Sequence, residues 1–297
     1  MKRTMSRKTY RPVAPPVSLE DPISSAMPSS RGGIHPTAVI DPRARLGRDV
    51  TVGPYCVVGE RVLLGEGACL MSHVTVEGPT ALGARVVVHP FAALGGAPQD
   101  RSHAGEPTEL VVGDETVIRE HVTIHRGTAK DRARTTIGAR CLIMVGTHIA
   151  HDAIVGDECI VANACQLAGH VVLEDGVVLG GAAALAPFVR VGRVAFVAAG
   201  ARVEHDVPPF HIAQGDRARV RGLNVVGLQR RGFDRNAIAA LERAYRAIYR
   251  TSKPIEAALI DVLQHESDPN VRMLVEFLRT RTTIAGPKSE KEKAAER

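Results

Sequence analysis

The sequence predicts an all-β solenoid plus an α-helical domain at its C-terminal end. Three observations predict it: a six-residue aliphatic period, a small-residue slot in fixed phase with it, and a helical period that begins only where the first one ends. Starting at Ile34 and stepping by six gives Ile34, Ile40, Leu46, Val52, Val58, Leu64, Leu70, Val76, Leu82, Val88 and Leu94. The phase resumes at Val112, Ile118 and Ile124. It then restarts one residue later with Ile137, Ile143, Ile149, Val155, Val161, Leu167, Leu173, Leu179, Leu185, Val191, Val197 and Val203. With hydrophobic residues at 44% of the chain, chance agreement at all these places is on the order of 10⁻⁹.

Four residues after each anchor comes a small side chain: Ala38, Ala44, Val50, Cys56, Val62, Ala68, Val74, Thr80, Val86 and Ala92, later Thr116, Val122 and Thr128, then Cys141, Thr147, Ala153, Cys159 and Cys165. One aliphatic anchor and one small corner residue describe a short flat strand followed by a tight bend. Three such sides close a triangular coil, and coils stack at the spacing of paired strands, about 4.8 Å. The pattern resembles the left-handed parallel β-helix of hexapeptide repeats. Four of the five cysteines fall in the interior slot, which makes them structural thiols rather than metal or redox groups.

Two interruptions break the hexads, at about 95–110 and 129–136. A solenoid wall rejects insertions, so both segments leave it as loops, and loops on rigid scaffolds often carry function. The repeat ends at Val207-Pro208-Pro209. Beyond it Ile238, Leu241, Tyr245 and Ile248 share one helix face behind an Asp234 N-cap. Two further amphipathic helices are expected over 254–266 and 268–281, covering the open end of the solenoid. The chain therefore divides into an N-terminal extension expected to be disordered (1–33), the β-helix (34–207), a helical domain (208–285) and a flexible tail (286–297).

Composition narrows the class further. Among 297 residues, aromatic side chains make up 3% and tryptophan is absent. Glycine at every third position, as in collagen, is missing, and so is any run of about 18 apolar residues for a membrane helix. The net charge of +6 suits an anionic partner without choosing one. The first residues show no secretory signal and the five cysteines are an odd number, so a cytoplasmic protein with reduced thiols is expected.

The twelve histidines are used unevenly. Thr123-Ile124-His125-Arg126-Gly127-Thr128, Thr147-His148-Ile149-Ala150-His151-Asp152 and Leu167-Ala168-Gly169-His170 place four of them within three coils. By hexad phase His125, His151, Asp152 and His170 form one external patch. Solvated surface histidines, a three-histidine metal site and acid–base chemistry with His151 as the base and Asp152 as its orienting acid all fit this spacing.

Gln99-Asp100 with Ala104-Gly105-Glu106-Pro107-Thr108, the three histidine stretches, Ile212-Ala213-Gln214-Gly215 and Gly227-Leu228-Gln229-Arg230-Arg231-Gly232-Phe233 together resemble the UDP-N-acetylglucosamine O-acyltransferases of lipid A synthesis, over about 34–250. The resemblance implies a homotrimer with sites in clefts between neighbouring β-helices. Its donor is acyl carrier protein bearing a phosphopantetheine thioester, its acceptor is a UDP-sugar, and the family uses no further cofactor, metal, nucleic acid or stable membrane insertion. It implies that His151 takes the proton of the glucosamine 3-hydroxyl, that Asp152 supports the imidazole, and that the Gly169 N–H meets the oxyanion. Gln99 and Asp100 would contact the sugar, His148 the sugar and diphosphate, Asn224 the nucleotide, and Arg230 and Arg231 the phosphates, with His125 and His170 lining the cleft. Arginine suits diphosphate because its fork donates paired, charge-assisted hydrogen bonds.

The chain departs from the family pattern at several places. Ser102 and His103 stand where Lys and Tyr are usual, which leaves Arg101 as the nearby cation. Ala186-Pro187 replaces a His-Gln pair, and Val226 replaces an acidic nucleotide contact. Ala199 stands where Gly is common at the position limiting acyl length, which implies a shorter or altered chain. Relatives that acylate a 3-amino sugar, a zinc hydrolase of the carbonic anhydrase type on the same helix, and a solenoid that binds nucleotide without turnover are the competing expectations.

Overall fold

The structure, a computed structural model, describes residues 32–280. The expectations for residues 1–31 and for the tail lie outside the described residues. Short strands, most of two residues, build three parallel sheets that form the walls of a triangular prism. Sheet A runs from Gly33–Ile34 up to Phe196–Val197, sheet B from Val39–Ile40 to Arg202–Val203, and sheet C from Arg45–Leu46 to Arg190–Val191. Pairing is in register from coil to coil: Thr51 lies against Cys69, and Cys69 against Val87. Each anchor thus stacks on the anchor of the next coil, and from Val52 to Val203 all of them are buried. Ile34, in the first coil, is exposed.

The corner chemistry explains the small slot. The residue before it adopts a left-handed conformation at most corners, as at Tyr55 (φ 59°), His73 (φ 58°) and Asp152 (φ 58°), so the slot that follows turns inward where coils are closest. Thiols and hydroxyls there donate across the stack to a carbonyl 15 residues ahead: Cys141 to Gly156 at 3.1 Å, Thr147 to Ala162 at 3.1 Å, Cys159 to Glu174 at 3.2 Å and Cys165 to Gly180 at 3.2 Å. All five cysteines are buried and unpaired with one another; the hexad phase predicts this for Cys56, Cys141, Cys159 and Cys165, while Cys69 lies outside the slot.

The two insertions leave the prism at one corner, between sheets B and C. The first is tighter than its hexad break suggests and the second is shifted three residues earlier, because strands Ala93–Gly96, Glu109–Val112 and Arg134–Ile137 are each four residues long. The excursions are 97–108 and 126–133. Val87 pairs with Val117 and Val117 with Leu142, so these coils take 30 and 25 residues where a plain coil takes 18.

The stack begins one residue earlier than the sequence boundary, since Gly33 pairs with Thr51. It also continues past residue 207: His211–Gln214 adds in parallel to sheet A and folds back on Arg219–Leu223 as an antiparallel hairpin. Proline at 208 and 209 interrupts the hexads without ending the sheet. Helices α1 (Val225–Arg230), α2 (Arg235–Tyr249), α3 (Ile255–His265) and α4 (Pro269–Thr280) follow. The Asp234 side chain accepts a hydrogen bond from the Ala237 N–H, the cap the sequence predicts. Ile238, Leu241 and Ile248 of α2 are buried against α3 and α4, while Tyr245 and Tyr249 pack on the prism core. The short α1 carries no periodic signal and is absent from the sequence expectation.

Candidate active site

His151 and Gly169 occupy the same place in hexads 18 residues apart, as do Asp152 and His170 one position later. The His151 ring therefore lies over Gly169. A Cβ at that glycine would stand 2.7 Å from Cε1 and 3.0 Å from Nε2 of the imidazole. Asp152 adopts the left-handed conformation of the corner, which Asp tolerates better than most residues, and turns its carboxylate inward. It is fully buried, which corrects the expectation of a patch that is external throughout.

A buried carboxylate must be surrounded by donors. The Thr128 N–H reaches Oδ1 at 3.0 Å and Oδ2 at 3.1 Å, its hydroxyl donates to Oδ2 at 2.7 Å, and His151 Nδ1 lies 2.9 Å from Oδ2. The Asp152 N–H donates to Thr135 Oγ1 at 2.9 Å. A carboxylate only accepts, so His151 donates through Nδ1 and presents the lone pair of Nε2. This is the tautomer a general base needs. Among the described residues the Gly169 N–H makes no hydrogen bond.

The remaining histidines form two groups. His170 is edge-on to His151, with ring centroids 5.2 Å apart, and stacks on Phe188 at 4.4 Å. His125 is edge-on to His148 at 5.3 Å. Its Nδ1 meets the Ala97 carbonyl at 2.6 Å, and His148 Nδ1 meets Thr123 Oγ1 at 2.8 Å. Burial, followed by the neighbouring His125, moves the pKa of His148 below the usual imidazole value. Among the described residues of one chain, no three histidines bring ligand atoms together. The ligand atoms that converge, all within 4.8 Å, belong to His151, Asp152 and His170, and the Asp152 oxygens are already engaged by Thr128 and His151.

The first excursion brings Asp100 to the same corner. Its carboxylate accepts from the Ser102 N–H and hydroxyl, both at 2.8 Å, and pairs with Lys130 at 3.3 Å; these bonds, the Ser102 N–H foremost, hold its pKa down to about 2. Gln99 beside it is exposed.

The other candidates stand at different corners of the prism. Ala199 is exposed on the corner between sheets A and B. Asn224 caps α1, accepting from the Gly227 N–H at 3.1 Å and donating to the Val194 carbonyl at 3.0 Å. Arg231 pairs with Glu158 at 2.9 Å on the corner between sheets C and A, and Arg230 is exposed on the last turn of α1. Within one chain these four do not join the histidines. Sequence reasoning missed Thr128 and Thr135, whose hydroxyls serve the Asp152 carboxylate and backbone. The small-slot character of Thr128 was visible and its polar use was not, while Thr135 falls inside the expected hexad break.

A triangular solenoid of hexads with an oriented imidazole–carboxylate pair at one corner defines a hexapeptide-repeat transferase. Residues 134–169 match the bacterial transferase hexapeptide model of six repeats, and residues 206–285 match domain 2 of the UDP N-acetylglucosamine O-acyltransferases. LpxA from Acinetobacter baumannii is 38% identical, with a TM-score of 0.82 over 86% of this chain and 99% of its own. LpxA from Bacteroides fragilis, a UDP-N-acetylglucosamine acyltransferase, is 33% identical with a TM-score of 0.83, covering 86% and 100%. The Arabidopsis UDP-N-acetylglucosamine acyltransferase is 35% identical with a TM-score of 0.76, covering 86% and 100%. The chain belongs to the UDP-N-acetylglucosamine O-acyltransferase family. Its fold is the left-handed β-helix of that family with four C-terminal helices, and it is an acyltransferase. No helix among the described residues is long and apolar enough to cross a membrane.

Proposed function

We propose that this chain transfers a (3R)-3-hydroxyacyl group from the phosphopantetheine thioester of acyl carrier protein directly to the 3-hydroxyl of UDP-N-acetylglucosamine, the first step of lipid A biosynthesis. The observation that carries the reading is the His151 imidazole, tied through Nδ1 to a fully buried Asp152 and leaving Nε2 open beside Gly169. Nε2 takes the hydroxyl proton as the oxygen attacks the thioester carbonyl, and Asp152 stabilises the resulting imidazolium. The Gly169 N–H faces the developing oxyanion. On collapse the C–S bond breaks, and the departing thiolate recovers the proton from Nε2. General base catalysis of this type contributes about 10²–10⁴-fold, and an oxyanion donor about 3–4 kcal/mol.

A cytoplasmic homotrimer is part of the proposal. Asn224, Arg230, Arg231 and Ala199 stand at corners away from His151, so a neighbouring copy must supply them if they contact the same substrate. In that assembly Gln99, Asp100, His125, His148 and His170 line the cleft, Arg230 and Arg231 meet the diphosphate, and Ala199 limits the acyl chain. The net charge of +6 suits an acidic carrier protein and an anionic sugar nucleotide. The test is His151→Ala, assayed by mass spectrometry of the acylated UDP-sugar with light scattering for the assembly. The expected result is loss of nearly all turnover with the trimer retained. Full turnover in that variant removes the assignment.

A further inference from the structure

The second excursion sends three consecutive side chains to three parts of the site. Lys130 Nζ stands 3.3 Å from Asp100 Oδ2 on the first excursion, Asp131 Oδ2 stands 2.9 Å from His170 Nδ1, and Arg132 Nη2 donates to the Asp152 carbonyl at 2.6 Å. Asp131 thus does for His170 what Asp152 does for His151. The sequence expectation gave none of these three residues a role.

We propose that Asp131 is a positioning residue for the acyl transfer, acting through His170. The proposal rests on the acyl-transfer reading of the His151 site. An imidazole can turn over about its Cβ–Cγ bond and exchange the places of its nitrogens, and a carboxylate at Nδ1 selects one of the two orientations. Asp131 makes that selection at the exposed side of the ring. Phe188 fixes the ring plane from the next coil, lying within 8° of parallel. So held, His170 presents its edge to His151 at 87° between planes and brings Nε2 to 3.9 Å from Asp152 Oδ2. The charged and titratable groups around His170 are Asp131, Asp152 and His151, with Arg132 Nε 3.6 Å from the same Asp131 Oδ2 that meets His170. His170 therefore packs against the flank of the base and its carboxylate, and its orientation depends on a loop residue that touches neither.

A double-mutant cycle on kcat/KM tests this, using the full chain, acyl carrier protein thioester and UDP-N-acetylglucosamine. Asp131→Ala is expected to lower kcat/KM about tenfold, mainly through kcat, since a small misplacement near the reacting groups is felt strongly. In a His170→Ala background the same change is expected to do less than about twofold, because coupled residues are non-additive. Asp131→Asn, whose amide oxygen still accepts from Nδ1, is expected to restore most of the activity and guards against a folding defect in the alanine variant. Wild-type activity in Asp131→Ala, an undiminished effect without His170, or no rescue by asparagine overturns the inference while leaving the acyl-transfer reading in place. A wild-type protein that fails to make acylated UDP-sugar removes the reading and the inference with it.

Discussion

Gly169 lies against the face of the His151 imidazole, so close that a Cβ there would stand 2.7 Å from Cε1. The ring occupies the space that a side chain one coil away would fill. Gly169→Ala must therefore push the base aside while leaving the hexad anchors untouched. We expect kcat to fall about 10²-fold with an unchanged circular dichroism spectrum. Wild-type kinetics in this variant would contradict the packing.

Thr128 supplies both an N–H and a hydroxyl to the Asp152 carboxylate. In Thr128→Val only the N–H remains, and a buried charge loses a donor at a cost of about 1–3 kcal/mol. Denaturant unfolding at neutral pH should register that loss together with reduced kcat. Thr128→Ser should recover both.

His211 is fully buried, with Nδ1 2.6 Å from the Pro209 carbonyl and Nε2 without a partner among the described residues. Burial lowers its pKa to about 4, opposed by the bond to Pro209. A base whose folded pKa lies below its unfolded value binds protons more readily when unfolded. Its stabilising contribution is therefore complete above about pH 6.5 and declines as pH falls toward 4, by about 3 kcal/mol in all. Melting temperatures across this range should drop for the wild type and flatten in His211→Phe.

Asn224 is committed to the chain itself, capping α1 and holding the Val194 carbonyl. Asn224→Ala is expected to cost about 1–2 kcal/mol of stability, measured by chemical denaturation in the absence of any nucleotide. An unaffected midpoint would leave nucleotide contact as its sole role.

The β-helix was legible because its hexad is a direct image of its geometry: one anchor such as Ile149 and one small corner such as Ala153 per side, repeated until statistics settle the fold. The same phase placed His170 one coil over Asp152, and so at the corner of His151, since residues 18 apart must stack. It could not show that the corner residue Asp152 turns inward, because that depends on donors from Thr128 across an insertion of irregular length. Asp131 was invisible for the same reason, lying where no period exists. Asn224 and Arg231 were read by their chemistry alone, and their contacts with Val194 and Glu158 come from the way the C-terminal helices fold back. The parallel strand His211–Gln214 was hidden behind two prolines that interrupt the pattern without ending the sheet.

Both excursions bud from the same edge of the prism, and the coils above and below stay paired, with a register shift between Leu94 and Gly96 where the first one leaves. Their lengths and residues are thus released from the arithmetic that constrains every wall. Variation can accumulate there without loosening the walls, yet at Thr128, Asp131 and Arg132 it reaches the groups that hold Asp152 and His170, so the same edge that tolerates change in length can also retune the base.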